Sequence, residues 1–276
     1  MISITEIQNS SALTNDAKQW AKQNLDYLNK PMRLFGSSTK VEKGSDKFNT
    51  YILYLQPADK VASKTLCVFA EKAGCKKDCL ISSGQLGMTT GQNAATKRTV
   101  LMLLRPEQFK RALLSEIDKA ETRAIKEGIP ALFRLNGTSD IDFSEIIEAR
   151  PRSLFYDYTK IISRLRKNTL ANYDLTFSGS MYSVQSKKAL RKAVGLNYRI
   201  AVAFNTKGIA ADELALPAMP SFDNTDLRHL DKQGTIGYLK RKGSNKAERA
   251  GLNSKAKSFF VTSANHQDFI ELINVV

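Results

Sequence analysis

The chain has 276 residues, of which 42% are hydrophobic and 25% charged, a balance that suits a globular protein with a sizeable core. No run of 18 apolar residues occurs and the first twenty residues lack the basic-then-apolar order of a secretory signal, so a cytoplasmic protein without a membrane span is expected. The formal net charge is +15, from 42 Lys and Arg against 27 Asp and Glu; this excess attracts polyanions, of which nucleic acid is the commonest.

In chain order, residues 1–30 read as a helical lead-in, with Thr14 or Asn15 as a cap and Pro31 as its stop. Residues 51–55 (YILYL) are short, apolar and aromatic, the pattern of a strand at an edge or in a hairpin. Residues 65–69 (TLCVF) are a further strand candidate. The Gly- and Ser/Thr-rich stretch 82–96 reads as a loop, and residues 100–104 as a strand or the start of a helix. Residues 107–127 have helical periodicity through Phe109, Leu113, Ile117 and Ala124, closed by Gly128 and Pro130.

A regular alternation follows. Strand-like segments at 131–135, 154–158, 173–177 and 198–204 lie roughly 20 to 24 residues apart, with helical stretches between them and a polar cluster after each. That is the cadence of βα units, whose parallel strands gather the polar clusters on one edge. The expected class is α/β, a complete or partial (β/α) barrel with parallel strands and a small N-terminal extension. The extension covers 1–55, helical and then hairpin, and a single barrel-like domain covers 56–276. Residues 235–239 and 259–261 are the last strand candidates.

Three cysteines, Cys67, Cys75 and Cys79, fall within thirteen residues. An odd, tightly spaced set is a poor disulfide framework. It reads as a thiolate cluster for zinc or an iron–sulfur centre, or as a buried strand residue with two incidental neighbours. With zinc, a fourth ligand would come from His229, His266 or Asp78. The two histidines are too few for three-histidine metal sites.

The polar clusters supply the other candidates. In NGTSD, Asn136, Thr138 and Ser139 offer contacts to a substrate and Asp140 a base, nucleophile or ligand; a turn and helix cap is the alternative. In YDYTK, alternation puts Tyr156, Tyr158 and Lys160 on one face and Asp157 and Thr159 on the other. Lys160 and Asp157 suit acid–base work or phosphate contact, or a plain salt bridge. Ser178 and Ser180 are small donors for an anion or a sugar, with Thr159 beside them. Asp223, Asp226, Arg228 and Asp231 form a charged run in which Asp231 is a catalytic candidate and Arg228 a substrate contact, or else a solvated loop. Lys97, Arg98, Lys240, Arg241, Lys242 and Lys246 are candidates for phosphate-backbone contact.

Taken together and in order, CVFAEKAGCKKDCL, RLNGTSDIDF, FYDYTK, NYDLTFSGS and DLRHLD resemble the gene product 88 domain family of phages and plasmids, over roughly residues 30 to 262. The resemblance implies a bacteriophage or mobile-element origin, hence the cytoplasm of a bacterial host. It assigns no catalytic residues. The layout is also distantly similar to radical S-adenosylmethionine enzymes, which place three cysteines after the first barrel strand; that likeness implies an iron–sulfur cluster and S-adenosylmethionine. Deazaguanine transglycosylases are a second distant likeness, implying roles for Asp140 and Asp157. The resulting expectation is a phage or mobile-element enzyme that modifies or processes nucleic acid beside a cysteine-bound metal or cluster. The alternatives are a non-catalytic nucleic-acid-binding or replication-associated protein with structural zinc, and a phage host-interaction protein.

Overall fold

The computed structural model describes residues 1–36, 46–76, 79–205, 219–241 and 257–274. Seven strands, β1 (Phe35–Gly36), β2 (Asn49–Leu53), β3 (Ala131–Arg134), β4 (Leu154–Thr159), β5 (Tyr173–Gly179), β6 (Ile200–Phe204) and β7 (Ile236–Lys240), form one sheet in the order of the chain. β1 and β2 are antiparallel, while β2–β3, β3–β4, β5–β6 and β6–β7 are parallel. The α-helices are α1 (Ile4–Asn9), α2 (Asn15–Gln23), α3 (Leu25–Asn29), α4 (Gly84–Gly87), α5 (Thr89–Leu104), α6 (Pro106–Glu127), α7 (Ser144–Glu148), α8 (Ile162–Lys167), α9 (Val184–Gly195) and α10 (His266–Ile273). The fold is therefore α/β with a mostly parallel sheet. Its order begins at β1 and ends at β7, and no pairing among the described strands joins those two, so the expected barrel closure is not part of this finding.

The chain divides into two compact units. One comprises described residues 1–36, 46–68 and 79–155, the other 69–76, 156–205, 219–241 and 257–274. In the first unit, α1 and α2 start on Ser3 and Thr14, whose side chains accept from the backbone N–H groups of Glu6 and Ala17. Ile7, Leu13, Ala17, Ala21 and Leu28 bury a common apolar stripe with Val61 and Val100. The strands of this unit carry aromatic residues at one height. Tyr51 pairs with Phe133 and Phe133 with Phe155, and their rings stand 5.5 and 5.4 Å apart.

Three local expectations differ from the structure; at 259–261, read as a strand, there is only an isolated parallel bridge from Val261 to Phe204. Residues 65–69 are not a strand, and residues 84–104, read as a loop followed by a strand or the start of a helix, are almost wholly helical. The hydroxyl residues that look loop-like serve as a packing face. The buried Gln56 donates from its side-chain amide to Thr96 Oγ1 (3.0 Å) and from its backbone N–H to Thr99 Oγ1 (2.8 Å). Thr99 in turn donates to the carbonyl of Ala95, one turn back.

In the second unit, the apolar sides of β5 and β6 face the helices. Gly179 lies beneath Leu190 of α9, and Phe204 meets Phe269 of α10 edge-on at 5.7 Å. Parallel strands in sequential order with right-handed crossovers put their connecting helices on a single face. The opposite face of β4, β5 and β6 is left to other chain segments, and it is there that the polar side chains collect.

Candidate functional site: the polar face of the second unit

Alternation along three strands builds this face. β4 contributes Tyr156 and Tyr158, β5 contributes Asp174, Thr176 and Ser178, and Arg199 enters just before β6. Arg199 is almost completely buried and its guanidinium is fully engaged. It pairs with Asp174, donates from Nη1 to Thr176 Oγ1 (3.3 Å), and donates from Nε to the carbonyl of Asp231 (2.9 Å). A buried charge is tolerated only with such partners.

The covering segment holds the Asp/Arg/His run. Tyr156 donates to Asp226 Oδ2 (2.8 Å) and Tyr158 to Asp226 Oδ1 (3.2 Å), so one buried carboxylate is held by two phenols. Arg228 stacks over the Phe222 ring at 3.8 Å, donates to the carbonyl of Thr225 (2.9 Å) and approaches Asp231 Oδ2 at 3.2 Å. His229 lies 6.1 Å from the Tyr156 ring, centroid to centroid. Burial pushes its pKa down, Arg199 and Arg228 add to that, and Asp174 and Asp231 oppose it.

Of the predicted catalytic residues in this unit, Lys160 lies on the same face at the C-terminal edge of the strands. Its ammonium donates to Ser178 Oγ (2.9 Å) and sits 5.1 Å from the centre of the Phe259 ring. Asp157 projects to the other face, as alternation requires, and accepts from the Tyr173 hydroxyl (3.0 Å). Asp231 is bonded through its carbonyl to Arg199, at the opposite edge of the strands from Lys160. Asp174 and Ser178 mark those edges on β5; four residues of strand separate them by about 13 Å. Thr159 Oγ1 accepts from the N–H of Ile161, and Ser180 Oγ donates to the carbonyl of Ala73. Lys160 and Ser178 are thus brought together, while Asp157 and Asp231 are not brought to them.

The family model for gene product 88 matches residues 12–256. The chain belongs to the gene product 88 family. No curated protein and no solved structure matches it, so nothing supports the distant likeness to radical S-adenosylmethionine barrels.

In this gene product 88 family member the expectation of a cysteine-bound metal or iron–sulfur cluster is corrected. Among the described residues, no group of three or more His, Cys, Asp or Glu side chains is placed to hold a metal ion. Cys67 turns its thiol to the carbonyl of Thr138 and Cys75 to the carbonyl of Ala70, each at 3.7 Å, and Cys79 starts a short 3-10 turn. His229 is packed against Tyr156, and His266 opens α10. Asp78, the other suggested ligand, lies outside the described residues. The metal-dependent nucleic-acid enzyme, the zinc-stabilised alternative and S-adenosylmethionine as a cofactor lose their structural basis together.

In the first unit, NGTSD folds as a tight turn that clasps neighbouring backbone. Asn136 Oδ1 accepts from Ser139 Oγ and from the N–H of Ile141, both at 2.9 Å. Thr138 Oγ1 donates to the carbonyl of Leu55 (2.5 Å), and the Asp140 N–H donates to the carbonyl of Leu66 (2.9 Å). Asn136, Thr138 and Ser139 are buried and Asp140 is half-buried.

The predicted phosphate-contacting residues divide by exposure. Lys97 is fully buried: its ammonium donates to the carbonyls of Tyr27 and Lys30 (2.6 Å to the latter) at the end of α3, and burial together with Lys30 lowers its pKa. Arg98 donates to the carbonyl of Arg33. Lys240 is exposed, whereas Arg241 is buried with its guanidinium 4.8 Å from the centre of the Phe260 ring. Lys242 and Lys246 lie outside the described residues. Among the described residues, no helix is long and apolar enough to cross a membrane.

The Asp174–Arg199 pair and the two-phenol clasp on Asp226 were not singled out from the sequence. Their members lie 25 and 70 residues apart, so no local spacing signals them; the one usable cue was a carboxylate and an arginine at the starts of successive strands.

Proposed function

We propose that this protein binds nucleic acid through its positive charge, without a bound metal. The observation that carries the reading is the net charge of +15. Neutralising backbone phosphates with Lys and Arg releases condensed counterions, which supplies essentially all of sequence-independent affinity. Within that reading, Lys160 and Ser178 are assigned to hold one phosphate at the C-terminal edge of β4 and β5. A cation and a hydroxyl 2.9 Å apart offer the two donor types that phosphate oxygens accept, at the edge where α/β proteins place ligands.

The test is binding of labelled single- and double-stranded DNA, and of RNA, across a salt series. The expected result is affinity that falls linearly on a log–log plot as salt rises. No binding to any of the three at low salt overturns the reading. For the phosphate assignment, Lys160→Met and Ser178→Ala should each weaken binding at a temperature where circular dichroism shows both variants folded, although each also loses the bond between the two side chains. Unchanged affinity in both removes the assignment and leaves the general reading standing.

A further inference from the structure

Positive charge is not spread evenly over this protein. The longest described helix, α6, is charge-balanced: Lys110, Arg111, Lys119, Arg123 and Lys126 stand against Glu107, Glu116, Asp118, Glu121 and Glu127. The two connecting helices of the second unit are different. α8 reads ISRLRK and α9 reads VQSKKALRKAVG, so together they carry seven Lys or Arg and no Asp or Glu.

Their geometry gathers these cations. Both helices pack on β5 and against each other, with Leu165, Leu190 and Ala193 turned inward and buried. Arg166 and Lys167 of α8 and Lys188, Arg191 and Lys192 of α9 are exposed. Lys188, Arg191 and Lys192 follow an i, i+3, i+4 spacing, which sets neighbouring side chains about 5–6 Å apart on one helix face. That matches the scale on which phosphates repeat along a nucleic-acid strand. One cation of α9 is engaged within the protein: Lys187 forms an ion pair with Asp268 of α10 at 2.8 Å. The other acidic side chain of α10, Glu271, accepts from Gln267 on its own helix.

We infer that the exposed face of α8 and α9 is a second nucleic-acid-contacting surface, on the helix side of the strands and separate from Lys160 and Ser178, and that it meets the phosphate backbone independently of sequence. The inference rests on the nucleic-acid reading above and deepens it by naming this surface. It predicts no base readout, because Lys and Arg on a helix face meeting phosphates position a duplex without reading it.

The decisive experiment compares two variants of the full chain with the same change in charge. One is Lys188→Gln/Arg191→Gln/Lys192→Gln on α9; the other is Arg111→Gln/Lys119→Gln/Lys126→Gln on α6, all of them exposed positions. Anisotropy of a labelled random-sequence duplex is followed across salt. The α9 variant should bind on the order of 100-fold more weakly at 0.1 M salt and lose about 2.7 from the log–log salt slope, near 0.9 per phosphate contact. The α6 variant should stay close to the parent. Equal weakening by both variants, or by neither, overturns the surface while leaving nucleic-acid binding intact. A parent protein that binds no duplex or single strand overturns the underlying reading instead. Binding to phosphatidylserine vesicles with none to nucleic acid makes the face a membrane contact and overturns the inference. Arg166→Gln/Lys167→Gln on α8 serves as an independent check if the α9 variant folds poorly, with weakened binding expected and parental binding counting against the surface.

Discussion

Gly237 and Phe222 compete for one space: a Cβ on Gly237 would stand 2.3 Å from the Phe222 ring carbons. Phe222 is almost fully buried, and Arg228 stacks on it. Gly237 pairs with Ala201 in the parallel register of β6 and β7, so a run of small side chains lets the ring settle onto the strands. Gly237→Ala should therefore destabilise the protein by about 1–3 kcal/mol through overpacking. Urea unfolding midpoints measure this, and a midpoint equal to the parent's would contradict the packing.

Tyr156 and Tyr158 hold opposite oxygens of Asp226 with unequal geometry. Tyr156→Phe removes the shorter, buried bond to a carboxylate and should cost about 1.5–3 kcal/mol. Tyr158→Phe, with a 3.2 Å bond from a half-buried residue, should cost less. The ranking is checked by chemical denaturation of the two variants in parallel, and the reverse order would refute it.

His229 should make stability depend on pH. Its folded pKa is lowered by burial, so below the ordinary histidine value of about 6.5 the unfolded chain binds the proton first. This contribution is whole above that pH and is lost as pH falls towards the folded value. The unfolding free energy of the parent should drop more steeply between pH 7 and 5 than that of His229→Gln. Parallel curves would show that this imidazole does not sense folding.

Lys97 should prove structural. Lys97→Met removes the donor to two carbonyls at the end of α3 and should cost about 1–3 kcal/mol, since two part-buried acceptors lose a charged partner. Nucleic-acid affinity should not change, because the ammonium is not at the surface. Weaker binding at unchanged stability would reverse this assignment.

The later strands were legible because their apolar runs are short, bounded by turns and regularly spaced, so β3 to β6 fall close to where periodicity puts them. Alternation in YDYTK likewise separated Lys160 from Asp157. The stretch 84–104 was not legible: Gly, Ser and Thr favour turns locally, and the backbone N–H and side-chain amide of Gln56, 40 or more residues upstream of the two threonines, are what the hydroxyl face of α5 packs against. The cysteine cluster misled for a related reason. Proximity in sequence is not convergence in space: two of the thiols are turned to backbone carbonyls. Lys97 misled in the same way, since a lysine followed by an arginine looks like surface charge until the ends of neighbouring helices are known.

The short segment before Cys75 is bound to a distant part of the chain. Ser180 donates to the carbonyl of Ala73 and Ser183 to that of Lys72, while Gly74, at φ +69°, lies under the Tyr182 ring. Residues 69–76 thus complete the second unit although they are translated before most of the first. On the ribosome they must wait for more than a hundred further residues before their partners emerge. Neither unit is a contiguous stretch of polypeptide, and a truncation at residue 155 would leave this early segment without the serines that hold it. Dissection of the protein into halves for expression is therefore better served by joining residues 69–76 to the C-terminal fragment through a linker than by a single cut.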